Sequence, residues 1–426
     1  MSPGIGRALA HRNYRLFFTG QSISLIGTWI TRVATSWLVF RLTGSAFLLG
    51  VVGFWGQIPT LVLAPLAGVL VDRSDRHRIL IWTQALSALQ SAALAILALT
   101  NTITVEWIIF LQIAQGVINA VDTPARQSFV VQMVDDPADL PNAIALNSTM
   151  VNASRIIGPS IGGLIIAAVG EGWCFAIDAV SYIAVIGSLL AMSVTAAERR
   201  TVKGNVLEEL RAGYNYVAGF APVRTSLLLL ALVATMGMPY TVLMPLIATK
   251  VLHGGPHTLG FLMTASGFGA VAGALYLASR RSVLGLGRVM VYATLSFGTG
   301  LVLFSFARSL WEALLLLPFV GGGMMVQMAA TNTILQTVTA DHLRGRVMAF
   351  YTMAFLGTAP IGSLIAGIAA EHIGAPLTIT LGGAACLVGA GWLAVRLPSI
   401  REQVRPIYVE RGILSASQAM QTKTSS

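Results

Sequence analysis

The chain has 426 residues, 55% of them hydrophobic and only 10% charged, with a mean hydropathy of +0.76. A soluble domain carries about a quarter charged residues, so this composition excludes an ordinary aqueous globule. The formal charge of +10 raises nucleic acid as a partner, but the basic residues concentrate in loops that a membrane topology puts on one side, which excludes that class.

Twelve apolar segments follow in order, at about 15–40, 46–71, 78–100, 105–123, 142–169, 172–194, 225–250, 257–279, 286–307, 310–334, 345–369 and 374–396. Each is long enough for a helix to cross a bilayer, which takes roughly 20 residues. Backbone in lipid must satisfy its own hydrogen bonds, and runs such as 79–99 do not alternate as a barrel strand would, so the expected class is an all-α polytopic membrane protein. The opening MSPGIGRALAHRNYRLFF reads as a cytoplasmic tail, 1–14, leading into a retained first span rather than a leader.

With both termini placed in the cytoplasm, all 27 Lys and Arg residues fall inside or at inner helix ends except five. Arg41, Lys250 and Arg308 lie outside, and Arg32 and Arg155 lie in the membrane. The loop 195–224 contains Leu207, Leu210, Tyr214 and Val217 at helical spacing, an expected amphipathic helix on the inner surface. It separates two expected six-helix bundles, 15–194 and 225–396, and a polar cytoplasmic tail occupies 397–426. The bundles read as repeats: SIGGLIIAAVGE at 160–171 and PIGSLIAGIAAE at 360–371 align Ile161, Gly162, Leu164, Ile165 and Glu171 with Ile361, Gly362, Leu364, Ile365 and Glu371. Two comparable bundles suit an alternating-access machine that rocks about a central site.

Between the second and third spans stands Gly68-Val-Leu-Val-Asp72-Arg73-Ser-Asp75-Arg76-His-Arg78, with PARQSFVVQMV at 124–134 and LPNAIALNS at 140–148 further on. These residues, within a twelve-span repeated chain, resemble the major facilitator superfamily. The likeness covers essentially all twelve spans and is closest to the branch of drug, macrolide and siderophore exporters, including enterobactin-exporter-like proteins. It implies the major facilitator fold and secondary transport of a small molecule, with export as the direction and a monomer as the default, in the lipids of a bacterial cytoplasmic membrane. By the same resemblance Gly68, Asp72, Arg73, Asp75 and Arg76 form an inner-loop conformational switch with Asp122 as the partner of the arginines. The alternative is that these residues anchor helix ends. The loop at Gly273 to Arg281 lacks the Asp, which makes the inner gate asymmetric. The fourth span has Gln112 where the family motif often has an arginine, so proton antiport through that arginine is unsupported.

Along the fifth span, Gly158, Pro159, Gly162 and Gly163 resemble the glycine–proline motif of facilitator exporters, a helix interface that either slides or packs statically. Arg32, Arg155 and Asp178 are charges at bilayer depth, where an isolated arginine costs about 2.5 kcal/mol or more. Two readings stand. Either they face a polar cavity, bind an anionic or zwitterionic substrate and couple transport to a proton, or they form a structural buried pair. Trp29, Gln57, Gln112, Gln115, Tyr240, Gln327 and Asn332 are candidate cavity residues. Glu171 and Glu371 fall in expected outer loops with solvated roles.

No HExxH, nucleotide-binding loop or cluster of His, Cys and acid occurs, and Cys174 and Cys386 sit in opposite halves, so neither catalysis nor a cofactor or metal is expected. A lipid or metabolite transporter of the same fold, or a non-transporting sensor or scaffold, remains the alternative function.

Overall fold

The computed structural model describes residues 6–134, 136–193, 206–280 and 282–414, without the side chains of 65, 69, 72, 206–210, 212 and 342. Among the described residues the chain is helical and has no strand. Among the described residues twelve helices are long and apolar enough to cross a membrane. In chain order, counting one further helix, they are α1 Arg12–Thr43, α2 Ala46–Arg73, α3 Arg76–Leu99, α4 Val105–Phe129, α5 Leu140–Val169, α6 Glu171–Leu190, the shorter α7 Val206–Gly219, then α8 Ala221–Val251, α9 Pro256–Ser279, α10 Leu286–Phe306, α11 Leu310–Val338, α12 Leu343–Ile373 and α13 Ala375–Glu410.

Local chemistry sets the helix ends. Gly44 takes the left-handed conformation, φ 63°, that closes α1. Ser45 then caps α2 by accepting from the Leu48 N–H. Asp75 caps α3, its carboxylate accepting from the backbone of His77 and Arg78 at 3.0 and 3.3 Å. Thus one member of the inner-loop motif has a defined duty, starting the third span. Ser309 and Glu312 close α11 with a reciprocal capping box.

α7 occupies the position expected for the linker helix. Of its apolar residues, Tyr214 is exposed, Val217 is half-buried, and the side chains of Leu207 and Leu210 lie outside the described residues. α13 continues well beyond the length a bilayer requires, so its last turns extend the twelfth span.

The described chain divides into two compact units, Met1–Val202 with Thr241–Gly267, and Lys203–Tyr240 with Phe268–Ser426. In the first, α1 packs on α5 and α6, α3 on α4 and α6, and α2 on α4. An apolar cluster at one end of this unit contains Tyr14, Phe17, Leu80, Phe129, Met133 and Met150. The Tyr14 hydroxyl donates to the Ala143 carbonyl there at 2.7 Å. The segment before α1 is strapped to the start of α5, with Arg7 2.7 Å and His11 3.1 Å from Asp139.

In the second unit, α10 packs on α11 and α13. Two π-helical turns, Val233–Gly237 in α8 and Met353–Gly357 in α12, lie against one another, and Gly362 abuts the Thr235 backbone. In the first unit Gly162 sits likewise on α1, where a methyl in its place would lie 3.2 Å from the Ile30 Cα. Gly162 and Gly362, matched between the repeats, therefore pack alike against a neighbouring helix backbone in their own units.

Glu171 departs from the expectation of a solvated outer loop. It begins α6, is only 7% exposed, and receives Arg41 Nε at 2.7 Å and Nη2 at 3.3 Å. Close packing of α6 on α1 explains the difference, because it covers a position that hydropathy assigns to the loop. Glu371, its repeat counterpart, is exposed.

Candidate functional site

The first unit contains three linked polar groupings. The first is built on α1, where Trp29 and Arg32 lie almost one turn apart. The Arg32 guanidinium stands 4.7 Å and that of Arg155, from α5, 5.7 Å from the Trp29 ring centroid. Gly158, one turn after Arg155, seats the Trp29 Cβ against the α5 backbone. The fifth-span motif thereby places the tryptophan beneath both cations, an arrangement in which each cation–π contact contributes about 0.5–2 kcal/mol. Arg32 retains exposed surface and has no ion pair among the described residues.

The second grouping surrounds Asp178 of α6, which is 1% exposed. Its Oδ2 accepts from Thr31 Oγ1 of α1 at 2.9 Å and from Ser91 Oγ of α3 at 2.7 Å. Its Oδ1 is buried without a hydrogen-bond partner. Gly27 makes room for this oxygen, since a methyl there would come within 2.6 Å of it. Hydroxyls rather than an arginine thus hold the deepest acid, and neither Arg32 nor Arg155 pairs with it.

The third grouping surrounds Asp122 of α4, also buried. Oδ1 accepts from Thr83 Oγ1 at 2.8 Å and Gln84 Nε2 at 2.7 Å, while Oδ2 lies 3.6 Å from Arg126 Nε. The partners of Asp122 are therefore on α3 and its own helix, and not Arg73 or Arg76. Arg78 pairs with Asp75 at 3.5 Å. The side chain of Asp72 lies outside the described residues. A methyl on Gly68 would meet nothing within 4 Å among the described residues.

The remaining motif glycine has a tight partner. A methyl on Gly163 would come 2.7 Å from the Pro256 carbonyl oxygen and 3.0 Å from the Gly260 Cα of α9. The Pro159 carbonyl lies 2.5 Å from the corresponding position on Gly260.

The candidate cavity residues separate by environment. Gln57, Gln112 and Gln115 are half-buried in the first unit; Gln57 donates to the Gly53 carbonyl at 3.1 Å, Gln112 to Thr35 Oγ1 at 3.5 Å, and Gln115 to Ser87 Oγ and Asn119 Oδ1 at 3.2 Å each. In the second unit Tyr240 is buried edge-on to Phe297, and Gln327 is fully buried with its amide donating to Thr331 Oγ1 at 3.3 Å. Asn332 is half-buried and accepts from Gln336.

Sequence reasoning missed the face of α3 that joins two of these groupings. Thr83, Gln84, Ser87, Gln90 and Ser91 are all buried. Their helical spacing was the available signal, visible in the segment TQALSALQS.

Over residues 7–410 the chain matches the family described as transmembrane secretion effector. It is 30% identical over 389 residues to the multidrug efflux pump Tap of Mycolicibacterium fortuitum, covering 88% of this chain and 93% of that protein. It is 29% identical over 377 residues to the staphyloferrin A transporter of Staphylococcus aureus, covering 87% and 92%. A crystal structure of a POT family transporter in complex with 5-aminolevulinic acid shares the fold, with a TM-score of 0.73 at 10% identity and coverage of 91% and 96%. The twelve helices and the family match over residues 7–410 give one conclusion: the chain belongs to the transmembrane secretion effector family of the major facilitator superfamily, and is a membrane transporter, not an enzyme.

Proposed function

We propose that the chain is a proton-coupled exporter of a small amphipathic compound, a drug, macrolide or siderophore, working by alternating access. The observation that carries this reading is Asp178: a carboxyl buried at bilayer depth, held by two hydroxyls, with its second oxygen unpartnered. A proton on this carboxyl removes the net charge of its immediate surroundings, so binding and release of that proton favour different arrangements of α1, α3 and α6. Trp29, Arg32 and Arg155 form the substrate-contact surface in the same unit, offering a flat apolar ring beside two cations. The relatives described as a multidrug efflux pump and a staphyloferrin A transporter support export and a small-molecule substrate.

In this reading the protein is a monomer in the cytoplasmic membrane of a bacterium, surrounded by lipid, with both termini in the cytoplasm. The distribution of Lys and Arg supports that orientation. The glycines of α5 adjust the packing between states, while the loop with Gly68, Asp72, Arg73, Asp75 and Arg76, together with Asp122, biases the conformational equilibrium.

The test is transport in proteoliposomes under an imposed proton gradient, using fluorescent drugs, macrolides and catecholate siderophores, for the intact protein and Asp178→Asn. Gradient-driven movement that disappears in Asp178→Asn is the expected result. Movement that persists in the variant removes Asp178 from the coupling step.

A further inference from the structure

We propose that the cleft between α3 and α4, at the inner-loop end of the first unit, binds one anionic phospholipid. Arg73 and Arg78 receive its phosphate, and its chain lies along Trp82, Leu86 and Val117. This lipid is a ligand distinct from the transported compound, and its cleft shares no residue with the Trp29 surface. Binding there does not depend on proton-coupled export.

The sequence builds the cleft from one face of each helix. On α3, Asp75, Arg78, Ile79, Trp82 and Leu86 recur at steps of one to four residues that keep them on one side, and on α4 Val117 and Val121 stand one turn apart. With Arg73 at the end of α2 they enclose about 530 Å³. That lies within the roughly 300–1,000 Å³ of small-molecule sites. From Arg78 to Leu86 the rise is about 12 Å at the standard helical spacing.

The cleft is graded along that length. At the loop end Arg73 is exposed and makes no hydrogen bond or ion pair among the described residues. Arg78 Nε lies 3.5 Å from Asp75 Oδ2, an exposed pair whose attraction water screens. Asp75 is meanwhile committed to capping α3. One turn deeper Trp82 is 69% exposed, and its indole N–H makes no hydrogen bond among the described residues. Thr83 borders the cleft too, but its hydroxyl is taken by Asp122 at 2.8 Å. The deeper walls, Leu86 and Val117, are aliphatic and exposed.

Cations at the loop, an amphipathic ring at the boundary and aliphatic walls beneath follow the order of phosphate, ester and chain in a phospholipid. Charge selects the class of lipid. Two arginines against one aspartate favour a headgroup with net negative charge, whereas the cation of a zwitterionic head meets two guanidiniums. The guanidinium forks match phosphate oxygens, and the Trp82 N–H is a donor for an ester carbonyl.

The second unit supplies the contrast. The corresponding space, bordered by Leu277, Arg280, Leu286 and Thr333, is only about 120 Å³. Arg280 folds back within it, donating to the Leu284 carbonyl at 2.9 Å and the Tyr276 hydroxyl at 3.4 Å. The arginine is used internally there, so the lipid site belongs to the first unit.

Trp82 is the reporter that tests this. The full chain is reconstituted in phosphatidylcholine vesicles with rising fractions of phosphatidylglycerol carrying brominated chains, and the quenching lost in Trp82→Phe is assigned to Trp82. Half-maximal quenching is expected at a mole fraction at least roughly fivefold below that found with brominated phosphatidylcholine. The double variant Arg73→Gln/Arg78→Gln should raise it to the phosphatidylcholine value. Arg73→Lys/Arg78→Lys, which keeps the charge, should hold it within about twofold, and Arg280→Gln should leave it unchanged. Equal quenching by the two lipids overturns the proposal, and so does a preference for phosphatidylglycerol that survives in the glutamine variant. Helix content by circular dichroism verifies folding. Should the glutamine variant fail to fold, the comparison of the two lipids on the intact chain still decides.

Discussion

Gly163 and Gly260 meet so closely that a methyl group on either would come within 3.0–3.1 Å of the other's Cα. The neighbouring contacts are of the same kind, with backbone carbonyls of Pro256 and Pro159 against the opposing glycines and Thr264 Oγ1 donating to the Ile156 carbonyl at 3.1 Å. Such a seam is held by backbone proximity and dispersion rather than by charge.

Gly260→Ala is therefore expected to spread the seam. Overpacking costs about 1–3 kcal/mol, and in an equilibrium between nearly balanced states each 1.4 kcal/mol moves the ratio about tenfold. A cysteine at Thr264 should then react with a maleimide roughly tenfold faster in the Gly260→Ala background, with gradient-driven transport reduced. Unchanged labelling would show that the seam does not contribute to the equilibrium.

Arg41 and Glu171 give a second measurable coupling. The pair is bidentate, with Glu171 covered and Arg41 53% exposed on its side chain, so solvent screens part of the attraction. A double-mutant cycle with Arg41→Gln and Glu171→Gln, read by thermal unfolding in detergent, should yield a coupling of about 1 kcal/mol. Additive single effects would reduce this pair to a surface contact.

Asp122 anchors α4 to α3 through the Gln84 amide and through the Thr83 hydroxyl, which also lies 3.1 Å from the Leu80 carbonyl. Asp122→Ala leaves the Gln84 amide without its acceptor, while Thr83 turns to the Leu80 carbonyl, and should cost about 2 kcal/mol, whereas Asp122→Asn keeps an acceptor oxygen and should cost about 1 kcal/mol. Unfolding midpoints of the two variants check the order. Equal losses would mean that the charge facing Arg126, not the hydrogen bonds, dominates.

The amount of this that was legible in the sequence follows from which forces act locally. Twelve spans were legible because lipid imposes a length and an apolar composition on each helix separately. The equivalence of Gly162 and Gly362 was legible because the repeat preserves small residues where backbones meet, Ile30 in one unit and Thr235 in the other. Partners of charges were not legible. Asp178 takes Thr31 and Ser91, and Asp122 takes Thr83, Gln84 and Arg126, choices set by helix rotation and depth rather than by residue type. The α3 face escaped notice because Ser, Thr and Gln are uncharged and leave the hydropathy of a span nearly intact.

Trp29 supplies the last prediction. Its ring lies under Arg32 and Arg155, so its loss removes the surface that orients two guanidiniums and, in the proposed role of this surface, an apolar contact for substrate. Trp29→Phe keeps a ring and should raise the KM for a transported compound by only a fewfold, while Trp29→Ala should raise it by about tenfold, the equivalent of 1.4 kcal/mol. Arg32→Gln separates the charge from the ring. Because Arg32 has no ion pair among the described residues, its charge is available to a ligand. The variant should weaken transport of anionic amphipathic probes several times more than that of neutral probes of similar size. Transport measured across a matched series of dyes differing only in charge checks this. Equal losses for all charges would assign Arg32 to holding Trp29 rather than to contacting substrate.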